Sequence, residues 1–184
     1  MNLFDIWLYA IVNAGPGTPT WRIHAATFVS NVLPPAMVLA LAALAFLHPE
    51  RRRTLWAAAL SMLVTCAIVG VFRYRVPLPR PGVLDLGIQW LAHDMRGGFP
   101  SLHASGSFAL AMVLVFERRD RWALLFVLAA VAIAWSRVYL GLHFPTDVLG
   151  GAILGSLIAL AAQRFAARVA RRGRSPRENR PAPP

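Results

Sequence analysis

The sequence predicts an all-α fold: a polytopic membrane helical bundle of five transmembrane spans, preceded by an N-terminal interfacial helix. Three observations carry this. Of the 184 residues, 57% are hydrophobic and only 15% are charged, whereas an ordinary soluble domain carries about a quarter charged residues. The mean hydropathy is positive, at +0.53. The apolar residues also gather into five runs, each close to the length of about 20 residues that a bilayer crossing needs.

Taken in order, Asn2–Asn13 places Phe4, Trp7, Leu8 and Ile11 at helical spacing. It is too short to span and reads as an interfacial helix. It lacks a basic start and a small-residue cleavage site, so it does not read as a removable signal peptide. The five runs are Thr27–Leu47, Thr54–Phe72, Ser101–Phe116, Trp122–Leu140 and Thr146–Gln163. Pro34 and Pro35 predict a kink in the first. The third is short, and Phe99 and Pro100 extend it into the interface. In the last, Gly151, Gly155 and Ala159 recur every fourth residue, a pattern for close helix contact within the chain. The single cysteine, Cys66, excludes an internal disulfide framework and a multi-Cys metal site; in its apolar run it reads as a small buried hydrophobe. Residues 1–166 form the membrane-embedded domain. Residues 167–184 form a basic, Pro-rich tail, expected to be disordered from Arg171 onward.

Loop charge sets the orientation. All 19 basic side chains are Arg, against 8 acidic ones, for a net charge of +11. So apolar a chain is not a typical nucleic-acid-binding module. Arg51–Arg53, the group Arg118, Arg119 and Arg121, and seven Arg after Gln163 all fall on one face of a five-span topology. The positive-inside rule makes that face cytoplasmic, with the C-terminus there. Arg22, Arg73, Arg75, Arg80, Arg96 and Arg137 then lie on or near the outer face, against the bias, and need a separate reason.

Three groups of residues supply it. Arg73 and Arg80 flank six residues and precede Pro81; Pro100-Ser101-Leu102-His103 opens the third run; and Ser136-Arg137 is followed by His143 and Asp147 at the junction of the last two. Ionisable groups at the edge of a hydrocarbon slab are functional by default. Guanidinium forks match phosphate oxygens, and a Ser after Pro at a helix start adds a hydroxyl and backbone N–H donors. One His can attack phosphorus while another protonates the leaving oxygen, and an Asp can fix the tautomer of the first. Each piece alone has a plainer explanation: headgroup contacts for the Arg residues, a helix first turn for Asp147. His24, His48 and His93 lack such company and read as interfacial or solvated.

Together the three groups resemble the motifs of the type 2 phosphatidic acid phosphatase superfamily: Lys-x6-Arg-Pro, Pro-Ser-Gly-His and Ser-Arg-x5-His-x3-Asp. The third matches at every defined position. The resemblance extends from about residue 1 to Gln163, and the N-terminal helix with Ala134–Gly151 looks most like the bacterial undecaprenyl diphosphate phosphatases linked to bacitracin resistance. It implies His143 as the nucleophile that forms a phosphohistidine, Asp147 as its partner, and His103 as general acid and then base. It implies phosphate binding by Arg73, Arg80, Ser101, Arg137 and the backbone around Leu102. Two positions depart from the pattern: Arg73 stands for Lys, keeping charge with a planar head, and Leu102 stands for Gly. An ordinary helix start at Leu102 carries no strain, and that is the expected case.

The implied activity is a metal-independent, cofactor-free phosphatase in a bacterial inner membrane, with its site facing the outer side. Its substrate would be a membrane lipid phosphate, undecaprenyl diphosphate, cleaved to the monophosphate carrier for envelope synthesis. Alternatives are a phosphatase for phosphatidylglycerophosphate, phosphatidate or lipid A, or a lipid phosphotransferase. A lipid-phosphate-binding protein needs Arg but neither nucleophile nor acid, and no nucleic-acid partner is expected. Val83–Met95 reads as an interfacial element over the site, either a gate for lipid tails or a connector held by Trp90.

Overall fold

The computed structural model describes residues 3–92, 97–117 and 120–172, and no strand occurs among them. His93, Arg96, Arg118, Arg119 and the tail from residue 173 lie outside the described residues. The helices are α1 (Leu3–Val12), α2 (Thr20–Leu47), α3 (Arg52–Arg75), α4 (Leu102–Glu117), α5 (Arg121–Tyr139) and α6 (Pro145–Arg172), with short 3-10 turns at Pro49–Arg51 and Pro81–Leu84. α2, α3, α5 and α6 are long and apolar enough to cross a membrane. α4 has 16 residues and reaches about 24 Å at 1.5 Å per residue. Leu39, Phe46, Leu63, Leu124 and Leu157 point outward, as a surface facing hydrocarbon requires and one facing water does not.

The five expected runs coincide in order with α2 to α6, and the differences lie at the ends. α2 begins at Thr20, seven residues before the apolar run does, because Trp21–Ala26 is mixed in polarity yet free of helix breakers. It then runs unbroken through Pro34 and Pro35. α6 continues past Gln163 and past residue 166 to Arg172, through an Ala- and Arg-rich stretch of good helix formers. Cys66 is exposed, not buried. The inward face of α3 is set by Ser61, Thr65 and Val69, and one further residue turns Cys66 about 100° away from Thr65.

α4 is the centre of the bundle, buried along most of its length through Ala104, Ser105, Gly106, Ser107, Ala109, Leu110, Ala111, Val113 and Leu114. Its most extensive contact is with α6. There the small-residue repeat works as expected: a Cβ on Gly155 would overlap the Ser105 carbonyl, and one on Gly151 would lie 2.8 Å from the Ser101 carbonyl oxygen. The two backbones therefore pack in direct contact.

The end of the bundle away from the three motif groups is tied by Arg51. This buried guanidinium pairs with Asp120 and lies 3.9 Å from Glu117. Asp120 also caps α5, accepting from Trp122 N at 3.0 Å and Ala123 N at 3.1 Å. Burial works against ionising Asp120, but the Arg51 hydrogen bond and the backbone donors outweigh it and hold the carboxyl below its usual range. Asp120→Ala should lower stability by roughly 1–3 kcal/mol through loss of cap and ion pair. Since the folded value is depressed, this stabilisation is complete above the unfolded value of about 4 and is lost as pH falls through the folded one. Thermal unfolding in detergent should show the gap between wild type and variant at pH 7 and its shrinkage in acid.

Candidate active site

The third motif group owes its geometry to how α5 ends. Gly141 sits just past the helix at φ +76°, and the bonds Leu142 N→Arg137 O (2.9 Å) and Gly141 N→Val138 O (3.0 Å) close a Schellman motif. This abrupt stop turns the chain back so that Arg137, on the last turn of α5, and His143, just beyond it, face the same interior. Pro145 then starts α6 at the position where its missing N–H costs nothing.

Asp147 occupies the first turn of α6 and has two partners. Its Oδ2 accepts from the Phe144 N–H at 3.0 Å, the return half of a capping box. The same oxygen lies 3.3 Å from His143 Nδ1. On the other side of the ring, Nε2 is 3.1 Å from Arg80 Nη1. A guanidinium only donates, so Nε2 must be the acceptor there, and Nδ1 carries the proton toward Asp147. The partners thus assign the tautomer: the lone pair of Nε2 faces the arginine side of the site, and His143 has no exposure to solvent.

Arg80 is itself buried. Its Nη1 also donates to Leu142 O (3.0 Å) and its Nη2 to Gly97 O (3.3 Å). Gly98 lies against this pair: a Cβ there would be 3.1 Å from Asp147 Oδ2 and 3.2 Å from Arg80 Cγ. Arg73, at the end of α3, donates from Nε and Nη2 to Pro100 O at 3.2 and 2.8 Å. Its planar head thus grips the segment that opens α4. Ser101 N donates to Asp147 O at 2.9 Å, which joins the second and third groups. Ser101 Oγ is buried and has no partner among the described residues, and the first N–H groups of α4 beside it have no intrahelical acceptor. Leu102 begins that helix with ordinary helical backbone, Asp85 being the one non-glycine with positive φ among the described residues. The replacement of Gly is therefore unstrained. His103, in the same turn, is half-buried.

Arg137 is fully buried, and its Nη1 donates to Ser30 Oγ of α2 at 2.6 Å. Arg80 and Arg73 lie near enough for their charges to be felt there. All eight residues singled out from the sequence therefore gather at one end of the bundle, while the side chains of His24 and His48 are exposed. Such an array of guanidiniums, orphan hydroxyl and helix N–H donors around a directed imidazole suits a phosphate oxyanion and attack on its phosphorus.

Several supporting residues carried no signal in the sequence. Ser30 is one isolated hydroxyl in an apolar run. Asp5 of α1 accepts from Thr146 N at 3.0 Å and from Thr146 Oγ1 at 2.6 Å. Asn13 donates to Ile88 O and Tyr139 O and accepts from Ile88 N at 2.8 Å. Tyr9 donates to Leu86 O, and burial pushes its hydroxyl up to about 12, so it keeps its proton at neutral pH. Trp90, by contrast, reads from the sequence as the anchor of this segment, and it is bonded through Nε1 to Ala14 O and through N to Leu140 O. The described part of Val83–Met95 is thus a tied connector, held by α1 and by the turn after α5.

Comparison with known proteins gives a consistent result. Residues 54–171 match the PAP2 superfamily. The putative undecaprenyl-diphosphatase YbjG of Escherichia coli is 32% identical over 161 residues, covering 86% of this chain and 81% of that protein. The lipid A 4'-phosphatase of Bacteroides thetaiotaomicron is 31% identical over 159 residues, covering 77% and 68%. The crystal structure of Aquifex aeolicus LpxE superimposes with a TM-score of 0.78 at 21% identity, covering 89% of this chain and 96% of that one.

The turn after α5 makes a direct test of the geometry. Gly141→Ala puts a side chain at positive φ, costing roughly 1–2 kcal/mol for the conformation alone, and drives its Cβ into the Ile88 carbonyl. Both the melting temperature in detergent and phosphate release should fall, because the turn that aims His143 cannot close.

Proposed function

The chain belongs to the PAP2 superfamily of lipid phosphatases, and from that premise we propose that it hydrolyses undecaprenyl diphosphate to the monophosphate and phosphate through a phosphohistidine on His143. The observation that carries the mechanism is the assigned tautomer of His143, with Nδ1–H on Asp147 and the Nε2 lone pair toward Arg80. An incoming terminal phosphate draws Arg80 onto its oxygens and leaves Nε2 free. Nε2 attacks phosphorus; a P–N bond forms as the bridging P–O bond breaks. His103 protonates the departing oxygen, and Asp147 stabilises the imidazolium that develops. In the second step His103 takes a proton from water, the hydroxide attacks phosphorus, and the P–N bond breaks to release phosphate.

Arg73, Arg80 and Arg137, with Ser101 Oγ and the first N–H groups of α4, hold the phosphoryl oxygens. Their charge serves where a metal would otherwise be needed, so the reading is of a metal-independent acid anhydride hydrolase. For the substrate, the support is the 32% identity that spans most of the putative undecaprenyl-diphosphatase YbjG. The Arg distribution supports an inner-membrane protein whose site opens on the outer side, five spans with α4 completing the count, and a cytoplasmic C-terminus. A second reading, a lipid A phosphatase, is favoured by the 31% identity to such an enzyme.

Purified protein in detergent with EDTA should release phosphate faster from undecaprenyl diphosphate than from lipid A, phosphatidylglycerophosphate or phosphatidate. A 32P-labelled terminal phosphate should become acid-labile and protein-bound in wild type but not in His143→Ala. Faster turnover of lipid A would make the second reading the right one. Loss of activity in EDTA would remove the metal-free mechanism.

His103 and His143 should also separate by leaving group. In single turnover, His103→Ala should lose more on a lipid monophosphate than on an activated aryl phosphate, by a margin within the range of about 10²–10⁴ that general-acid help supplies. His143→Ala should lose both alike. Equal losses for His103→Ala would mean that it holds phosphate without protonating the leaving oxygen.

A further inference from the structure

Asp5 lies on α1, the short helix outside the bundle core, yet the residue is only 5% exposed. Both its oxygens are engaged by one residue of α6: Thr146 N reaches Oδ1 at 3.0 Å and Thr146 Oγ1 reaches Oδ2 at 2.6 Å. Thr146 is the second residue of α6 and stands between His143 and Asp147 in the chain. Its N–H is one of the first-turn donors that a helix cannot satisfy from within. A carboxylate there also meets the positive end of the helix dipole.

We propose that Asp5 is a positioning residue for the His143–Asp147 pair. The first turn of α6 offers N–H groups to two carboxylates. Asp5 takes Thr146 N–H, which leaves Asp147 to Phe144 N–H and His143 Nδ1. Were Asp5 absent, the bare Thr146 N–H would compete for the Asp147 carboxylate, which among the described residues is held, besides the imidazole, by the neighbouring Phe144 N–H. The side chain that sets the His143 tautomer would then be drawn off line. α1 is locked in register for this task by the edge contact of Tyr9 with Phe144, at 5.5 Å between ring centroids, and by the Tyr9 hydroxyl on Leu86 O. The short N-terminal helix is thereby part of the catalytic support as well as a membrane-surface element.

This inference rests on His143 and Asp147 being the reacting pair, and its test keeps the two ideas apart. Purified full-length wild type, Asp5→Ala, Asp5→Asn, Thr146→Val and the Asp5→Ala/Thr146→Val double variant are compared for kcat and KM on undecaprenyl diphosphate, for melting temperature, and for inhibition by inorganic phosphate. His143→Ala is the control. Misaiming a reacting group by about 1 Å costs on the order of a hundredfold, so Asp5→Ala should lose tenfold or more in kcat. KM and phosphate inhibition should stay within about twofold, since the Arg cradle is untouched.

Asn can accept from Thr146 N and donate to its hydroxyl, so Asp5→Asn should recover most of the lost rate. The double variant should be no slower than Asp5→Ala alone. A silent His143→Ala would overturn the reading of the pair itself. With that control inactive, the role given to Asp5 fails if Asp5→Ala keeps its kcat, if Asp5→Asn is as slow as Asp5→Ala, or if the two single losses multiply. A fall in KM-dependent affinity and melting temperature in step with kcat would equally overturn it, as the mark of general unfolding.

Discussion

The close approach of α4 and α6 is the constraint on which the site depends. Gly151 and Gly155 let the α6 backbone lie on the α4 backbone, and that contact brings the start of one helix to the start of the other. The hydrogen bond from Ser101 N to the Asp147 carbonyl is its immediate result. It joins residues contributed by separate motifs, so the phosphate-facing end of α4 and the imidazole beside α6 keep a fixed spacing. Any side chain in the seam would separate the two halves of the chemistry along with the helices.

Positive charge is the second organising force. Arg80 and Arg137 are buried within a largely apolar molecule, where unpaired charge is unfavourable. The fold meets this with directed acceptors: Leu142 O and Gly97 O for Arg80, Pro100 O for Arg73, Ser30 Oγ for Arg137. These are neutral partners. They take up several of the donors without cancelling the charge, so the field of the cluster remains available to an anion. A carboxylate in any of those places would have made a stronger pair and a poorer phosphate site.

Much of this was legible in the sequence, because it was written in spacing. The five apolar runs fixed the alternation of helix ends, and that alternation alone placed Arg73, Ser101, His103, Arg137, His143 and Asp147 at one end of the bundle. The Gly151/Gly155 repeat announced close packing of the last helix within the chain, and the structure identifies α4 as its partner. Asp5, Asn13 and Ser30 were not legible, since each acts through a contact distant in the chain and none belongs to a periodic pattern. The reversal at Cys66 has a similar cause: α3 is apolar on both faces, so composition could not say which face meets lipid, and Ser61 and Thr65 mark the inside. The ends of α2 and α6 were underestimated because hydropathy measures bilayer depth, whereas a helix persists as long as its backbone bonds do.

Asn13 has a consequence in time as well as in space. Its one amide group bonds Ile88, 75 residues away, and Tyr139, 126 residues away. At synthesis rates of about 5–20 residues per second, roughly 6 to 25 seconds separate the emergence of Asn13 from that of its second partner. Through that interval α1 has no α5 or α6 to dock on, and the later helices must arrive before the ends of the chain meet. A ribosome-bound or truncated chain ending before Tyr139 therefore lacks the half of the Asn13 clamp that ties the N-terminal segment to α5.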